Sequence, residues 1–433
     1  MSDMSEKIDD LLPDKAAVAQ LINGMSAGDA ANDFPNPAIN TSAPDSSTPD
    51  ADGFAQIPAK PAVYACFSPD GAAIVAATTA NLRNALKNRI ANQAGGKSKA
   101  VNYADIAESI RFRCVGSAFA ASWWYYRAVR TLFPRRYAAM LAWKPHWFVN
   151  LNPDADFPRF QISNTLADSP SVNIGPLATR RKARGIVESM EDLFDLCRYY
   201  DILRQAPHGK PCAYKELGKC PAPCDGSISM VDYRQRISRA MDFLSDSIGN
   251  RMQWFENQEQ LIREAAARMD FRAAAGHKRK LDQADKLNQG KLTEIHNMDK
   301  WKYLILQRGK TRNWIAPFVA GPGWISSLDE VPQAAGAASV PFWMTVCNLE
   351  LPDNLTVDCF PIEEIAALVT YHKYRPGEAG LYIPMDGQID AETIGKALEF
   401  WLNYKSDCDM PEINSADPAA VINVADNLET GDE

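Results

Sequence analysis

Residues 197–224 read CRYYDILRQAPHGKPCAYKELGKCPAPC, and four of the chain's nine cysteines fall inside that stretch. Cys220 and Cys224 are separated by three residues, so one tight turn aims both sulfurs at a common centre. Pro221 and Pro223 stiffen the turn by fixing φ and removing two backbone donors. Cys212 and Cys197 close the site from a preceding loop and a helix end. Four thiolates arranged in this way hold tetrahedral zinc or an iron–sulfur cluster, and the spacing does not choose between them. Lys210, Lys215 and Lys219 would offset part of the negative charge. The competing reading is a disulfide pair or scattered core thiols. Met1–Asp10 is acidic and polar, unlike a secretory leader, which favours metal over disulfide.

Outward from the cysteines, charge is unevenly spread. The 433 residues carry a net charge of −8, but residues 1–55 hold ten acids and two lysines, and residues 405–433 eight acids and one lysine. The body between them is therefore basic by about seven charges, a balance suited to phosphate binding with acidic, self-screening arms or to an ordinary solvated surface. No apolar run is long enough to span a bilayer, so no membrane partner is expected and the chain reads as cytoplasmic.

The sequence predicts an α+β or α/β multidomain protein. Residues 1–55 form an acidic linker with a short helix over residues 8–23. Ala62–Phe67 and Ala72–Ala77 flank the turn Ser68-Pro69-Asp70-Gly71 as a hairpin. Thr79 caps a helix bearing Leu82, Leu86 and Ile90, and the glycines near 93–98 make a surface turn. A strand at Ile110–Val115, a helix at Ser117–Leu132 and extended segments at Leu141–Asn150 and Phe157–Ser163 complete a domain over 56–165. The cysteine module occupies 166–226, a helical hairpin 227–290 and an unassigned α+β domain 291–404, before an acidic tail at 405–433.

GKPCAYKELGKCPAPCDG resembles the cysteine-rich segment of the UvrC excinuclease subunit family and its shorter Cho-type relatives. That resemblance implies a [4Fe–4S] cluster on Cys197, Cys212, Cys220 and Cys224, with zinc as the alternative. Ala62-Val63-Tyr64 and the helix start Ala80-Asn81-Leu82-Arg83 resemble the family's GIY-YIG nuclease domain, and Ile174-Gly175-Pro176-Leu177 its Gly-Pro-Phe segment. Ala265–Ala275 resembles the UVR motif, a helical hairpin that binds the UvrB helicase, which implies a UvrB-like partner for residues 247–287, with Phe271 anchoring the bend. Residues 301–404 lack the carboxylate-rich RNase H-like pattern of the family's second nuclease domain.

The resemblance implies a phosphodiester-cleaving centre of two tyrosines, an arginine and a metal-binding glutamate. Tyr64 supplies one phenol, but the other family positions fall on Val75, Ala85 and Tyr125. Arg83 lies two residues before Ala85, and Arg89 one turn beyond it. There is no Asp or Glu from Ser109 to Pro153, so magnesium or manganese is not expected there. Arg180, Arg181, Lys182 and Arg184, with Arg127 and Arg130 beside the aromatic run Trp123–Tyr126, are the candidate DNA contacts. Three functions remain open: a DNA-binding relative of the excision-repair excinuclease with a degenerate centre, an active metal-dependent structure-specific endonuclease, and a non-catalytic scaffold.

Overall fold

The computed structural model describes residues 39–40, 57–91, 106–245, 248–288, 292, 295–333, 360–375, 380–385 and 391–403. The expected helix over 8–23, the turn near 93–98 and the acidic tail lie outside them. The described residues divide into two compact units. One draws on the chain up to Lys144, on 302–360 and from Leu368 onward; the other comprises Pro145–Trp301 and Pro361–Ala367.

In the first unit, β1 (Ala62–Phe67) and β2 (Ala73–Thr79) pair antiparallel about the Ser68–Gly71 turn, where the Gly71 N–H donates to Ser68 O at 2.8 Å. Gly71 sits at φ 79°, a conformation that costs glycine nothing. The following helix α1 (Leu82–Leu86) is capped by Asn81, whose side chain accepts from Asn84 N. Thr79 instead holds the Asn81 N–H at 3.2 Å, so the cap falls two residues later than the sequence predicts. β3 (Ser109–Cys114) pairs antiparallel with β1, placing Phe112 opposite Tyr64 and Ile110 opposite Cys66. Alternate residues Ala62, Tyr64 and Cys66 meet Leu82, Leu86, Ile110 and Phe112 in one apolar cluster.

Ser117 then caps α2 (Ala118–Leu132) by accepting from Ala120 N at 3.1 Å. Gly116, just before the cap, lies against the backbone of Gly309, where a Cβ would stand 2.3 Å from the Gly309 carbonyl carbon. Phe119 packs edge-on to Phe318 at 5.2 Å and Trp123 to Phe360 at 5.3 Å. Of the residues expected to form a separate domain at 291–404, those of 302–360 and from Leu368 onward share a unit with the hairpin domain, and the rest belong to the other unit.

The second unit is built on β4 (Trp147–Leu151), β5 (Gln161–Ser163) and β6 (Val172–Leu177), joined by a two-residue strand β7 (His296–Asn297). The order is β5-β4-β6-β7 and every pairing is antiparallel. The sequence assigned 147–163 to the preceding domain; its strands belong instead to the sheet beneath the cysteines, because β6 and β7 recruit chain from both sides of them. Against this sheet packs α3 (Arg180–Leu193), whose buried Ala183, Ile186, Val187, Met190 and Leu193 repeat at helical spacing. Helices α4 (Met230–Leu244), α5 (Ile248–Ala267) and α6 (Phe271–Asn288) complete the unit, and Tyr233, Phe243 and Leu287 enter the same core. In the first unit, β8 (Tyr303–Arg308), β9 (Trp314–Gly321), β10 (Trp324–Ser327) and β11 (Leu381–Pro384) form a second antiparallel sheet in the order β10-β9-β8-β11. The α+β description holds, and all strand pairings among the described residues are antiparallel, so the α/β alternative does not.

Candidate metal centre and nucleic-acid surface

Beyond α3 the chain turns sharply at Asp195, held at φ 55°. Asp195 tolerates that conformation because its carboxylate is anchored by Lys280 at 2.8 Å and Arg236 at 3.4 Å. Cys197 follows, buried, its N–H donating to the Tyr233 hydroxyl at 3.3 Å and its Sγ to Tyr199 O at 3.5 Å. Cys212 stands at the start of a short helical turn, Ala213–Glu216, and is half-buried. Cys220 and Cys224 are buried. Three left-handed residues, Gly218 (φ 68°), Ala222 (φ 57°) and Gly226 (φ 77°), bracket them at every fourth position. Such a series coils the chain around the two sulfurs. For Ala222 it costs on the order of 1 kcal/mol or more, a strain of the kind kept where a site requires it.

Electrostatic influence links Cys197 to Cys220 and Cys224, and Cys224 to Cys212. Cys220 and burial push the Cys197 thiol up, while Cys197 draws Cys220 down, helped by the Ala222 N–H and the Arg198 charge. Cys224 is pushed up by burial and by the neighbouring Asp225, Cys220 and Cys212. Among the described residues, no three His, Cys, Asp or Glu side chains stand as the ligands of one metal ion. Two observations nevertheless fit a sulfur-ligated group here. The donor set is four soft thiols and no carboxylate, the set preferred by zinc and iron–sulfur clusters. And Arg198 Nη1 is buried beside it with no acceptor.

The expected lysine compensation takes a different form. Lys215 is committed to Asp225 and to Ser227 Oγ, and Lys219 reaches Asp192 at 3.5 Å. The cation beside the thiols is Arg198, which the sequence reading missed; its position directly after Cys197 was the available signal. His208 is exposed on its turn.

Arg180, Arg181 and Lys182 occupy the first turn of α3, where Thr179 accepts from Lys182 N at 3.2 Å, and Arg184 follows. The three arginines are exposed. Arg180 rests over the Trp147 ring at 5.5 Å, and among the described residues no carboxylate pairs with Arg181 or Arg184. Cations at a helix N-terminus add to its positive end rather than opposing it, leaving a field that favours an anion.

Arg127 and Arg130 are placed otherwise. Arg130 donates from Nη1 to the Tyr126 hydroxyl at 2.9 Å, and Arg127 lies over Trp123 and Trp124. Trp123 and Tyr126 are fully buried, so they are core and not a base-stacking platform. Of the proposed nuclease positions, Tyr64 and Val75 share the apolar cluster on β1 and β2. Tyr64 is 4% exposed inside the apolar cluster, and Val75 packs against that cluster. Arg83 donates from Nε to Ile57 O at 2.8 Å, and Ala85 lies on α1. Tyr125, on α2, has its hydroxyl pushed up by burial and is absent from the cluster around Tyr64.

The helical pair α5–α6 reverses through Met269 (φ 57°) and Asp270, whose carboxylate accepts from Ala273 N at 3.0 Å. Phe271 does not anchor the bend: it is 71% exposed and Met269 78%, so the hairpin tip presents two apolar side chains to solvent.

A sheet-backed helical unit carrying the four-cysteine stretch, with a basic helix start beside its sheet, defines a cysteine-rich module. Residues 145–243 match the model of the UvrC/Cho excinuclease middle domain. UvrABC system protein C of Moorella thermoacetica is 24% identical over 224 residues, 51% of this chain and 35% of that protein. The same-named proteins of Pseudarthrobacter chlorophenolicus and Syntrophotalea carbinolica are 27% identical over 225 residues and 29% over 133, covering 51% and 30% of this chain and 32% and 21% of theirs. The aligned stretch spans about a third of the first relatives' length. No solved structure matches. No helix among the described residues is long and apolar enough to cross a membrane.

Proposed function

We propose that this chain is a DNA-binding protein of excinuclease-type nucleotide excision repair in which the GIY-YIG-like centre no longer cuts. The observation that carries the reading is the coincidence, within the matched middle domain, of the four-cysteine stretch with the exposed arginines at the start of α3. Cys197, Cys212, Cys220 and Cys224 hold a [4Fe–4S] cluster in this reading. When bound, the cluster supplies a cross-link between loop, turn and helix end, and a one-electron redox centre. The protein's own part is to bury the sulfurs, to donate to Cys220 from Ala222, and to fix Cys197 through Tyr233. Arg180, Arg181 and Arg184 contact phosphates, and the exposed tip at Met269 and Phe271 supports a UvrB-like partner for the helical pair.

Loss of cutting follows from the surroundings of Tyr64. The phenol packs among Leu82, Leu86, Ile110 and Phe112, and α2, the helix that follows, carries no Asp or Glu to bring a metal to a phosphate. Charge stabilisation would also fall to Arg83, whose Nε already serves a backbone carbonyl.

The test is a mobility-shift and nicking assay on damaged and undamaged duplex, with and without magnesium or manganese, alongside iron and sulfide analysis. Binding without nicking is expected. Replacing Arg180, Arg181 and Arg184 with Ala should weaken binding on every sequence and flatten the slope of log affinity against log salt by about three. Metal-dependent nicking abolished by Tyr64→Phe would overturn the loss of cutting. No DNA affinity at physiological salt would overturn the whole reading and favour a protein scaffold.

A further inference from the structure

Among the charged groups around the cysteines, one buried donor lacks an acceptor. Arg198 directly follows Cys197 and its side chain is 14% exposed. Most of the guanidinium is committed: Nε faces Glu191 Oε2 at 3.8 Å, Nη2 donates to Asp192, and the plane lies 4.3 Å over the ring of Tyr214, two residues past Cys212. These contacts fix the fork on three sides and leave Nη1 buried without a hydrogen-bond partner. A guanidinium nitrogen buried in this way calls for an anionic or strongly accepting neighbour. The thiol centre is the anionic chemistry beside it, and the Arg198 charge acts on Cys220.

We propose that Arg198 is a positioning residue of the cysteine centre, donating from Nη1 to the sulfur of the group that Cys197, Cys212, Cys220 and Cys224 hold. This rests on the cluster reading above and deepens it. The consequence is electrostatic. A fixed cation and a hydrogen bond at the sulfur favour the reduced, more negatively charged state of a cluster and so raise its potential. Arg198 suits the task better than a lysine because its planar fork is held by Glu191, Asp192 and Tyr214 while one donor stays available. A rival use of Nη1 exists. A cavity of about 60 Å³ is lined by Arg198, Cys197, Glu191, Tyr200 and Tyr233, and water in it would meet the donor without touching the centre.

Redox titration of the full chain, purified without oxygen and followed by visible absorbance and electron paramagnetic resonance, separates the two. Iron and sulfide are measured on the same samples. Arg198→Met should keep a cluster whose midpoint potential moves to more negative values, and Arg198→Lys, which keeps the charge, should recover part of that shift. A cluster in Arg198→Met with the parent's potential would overturn the proposal and assign Nη1 to the cavity. Loss of cluster from both variants, with an unchanged potential in any fraction that remains or with none remaining to titrate, would equally overturn it, since Arg198 would then serve folding alone. Parent protein without iron and sulfide would refute the cluster reading itself, a failure distinct from either of those.

Discussion

Replacing Glu191 with Gln should remove a pH dependence of stability that the fold builds in. Glu191 lies near the end of α3 with its side chain 17% exposed. Burial pushes its carboxyl up to about 7, against the opposing pull of Arg198, and Glu188 and Asp192 push the same way. In the unfolded chain the group titrates near 4.5. Below that pH both states hold the proton and the group contributes no slope. Between about 4.5 and 7 the native state holds a proton that the unfolded state has released, so stability falls as pH rises. At about 1.4 kcal/mol per unit over roughly 2.5 units, the fall amounts to about 3.5 kcal/mol. The amide of the Glu191→Gln variant cannot ionise and should be free of it. Urea unfolding of both proteins at pH 5, 6, 7 and 8 and fixed ionic strength gives the difference, in which the other titrating groups cancel. The variant should gain on the parent as pH rises and stop gaining above about pH 7. A difference constant from pH 5 to 8 would show that Glu191 is ionised throughout and that its pairing with Arg198 outweighs desolvation.

Three further outcomes follow from individual contacts. Tyr233→Phe leaves the buried Cys197 N–H without its acceptor while conserving the ring, so urea unfolding should show a loss of about 1–3 kcal/mol; no loss would mean another acceptor takes over. Phe271→Ser should change stability by less than about 0.5 kcal/mol, because the ring is 71% exposed, yet weaken binding of a UvrB-type partner in a pull-down; a larger stability loss would mean the tip is packed. Gly116→Ala would place a Cβ 2.3 Å from backbone atoms of Gly309 and 2.5 Å from Arg308 O, costing about 1–3 kcal/mol by thermal or urea unfolding, and an unperturbed variant would show that the two backbones part freely.

What the sequence made legible is local, and what it hid depends on chain distant in sequence. The turn around Cys220 and Cys224 could be read because its prolines and glycines lie within a few residues of the sulfurs. Even there Ala222 gave no sign of its left-handed backbone, since alanine carries none of the preference that marks Gly218 and Gly226. The hairpin at Ser68–Gly71 was legible for the same reason, with turn chemistry written in adjacent residues. The strands of 147–163 were assigned to the preceding domain because their pairing with the strand at Val172–Leu177, as in Val149 opposite Ile174, leaves no periodic mark in the sequence. Phe271 misled in the opposite sense. An apolar residue at a helix start is read as an anchor, but here the left-handed Met269 ahead of it accompanies a tip that faces solvent.

The cysteine centre joins both kinds of information. Its ligand types are a short string, whereas its charge balance is not: Lys215 and Lys219 are spent on Asp225 and Asp192. The cation whose charge acts on Cys220 is Arg198, and its orientation is dictated by carboxylates on α3 and by a ring beyond Cys212. A reading of spacing alone therefore finds which atoms can hold a sulfur-ligated group, but not what tunes it. Tuning is an electrostatic property of the folded neighbourhood, and a relative that kept all four cysteines but lost Arg198, Glu191 or Asp192 would keep the same motif with a different redox poise.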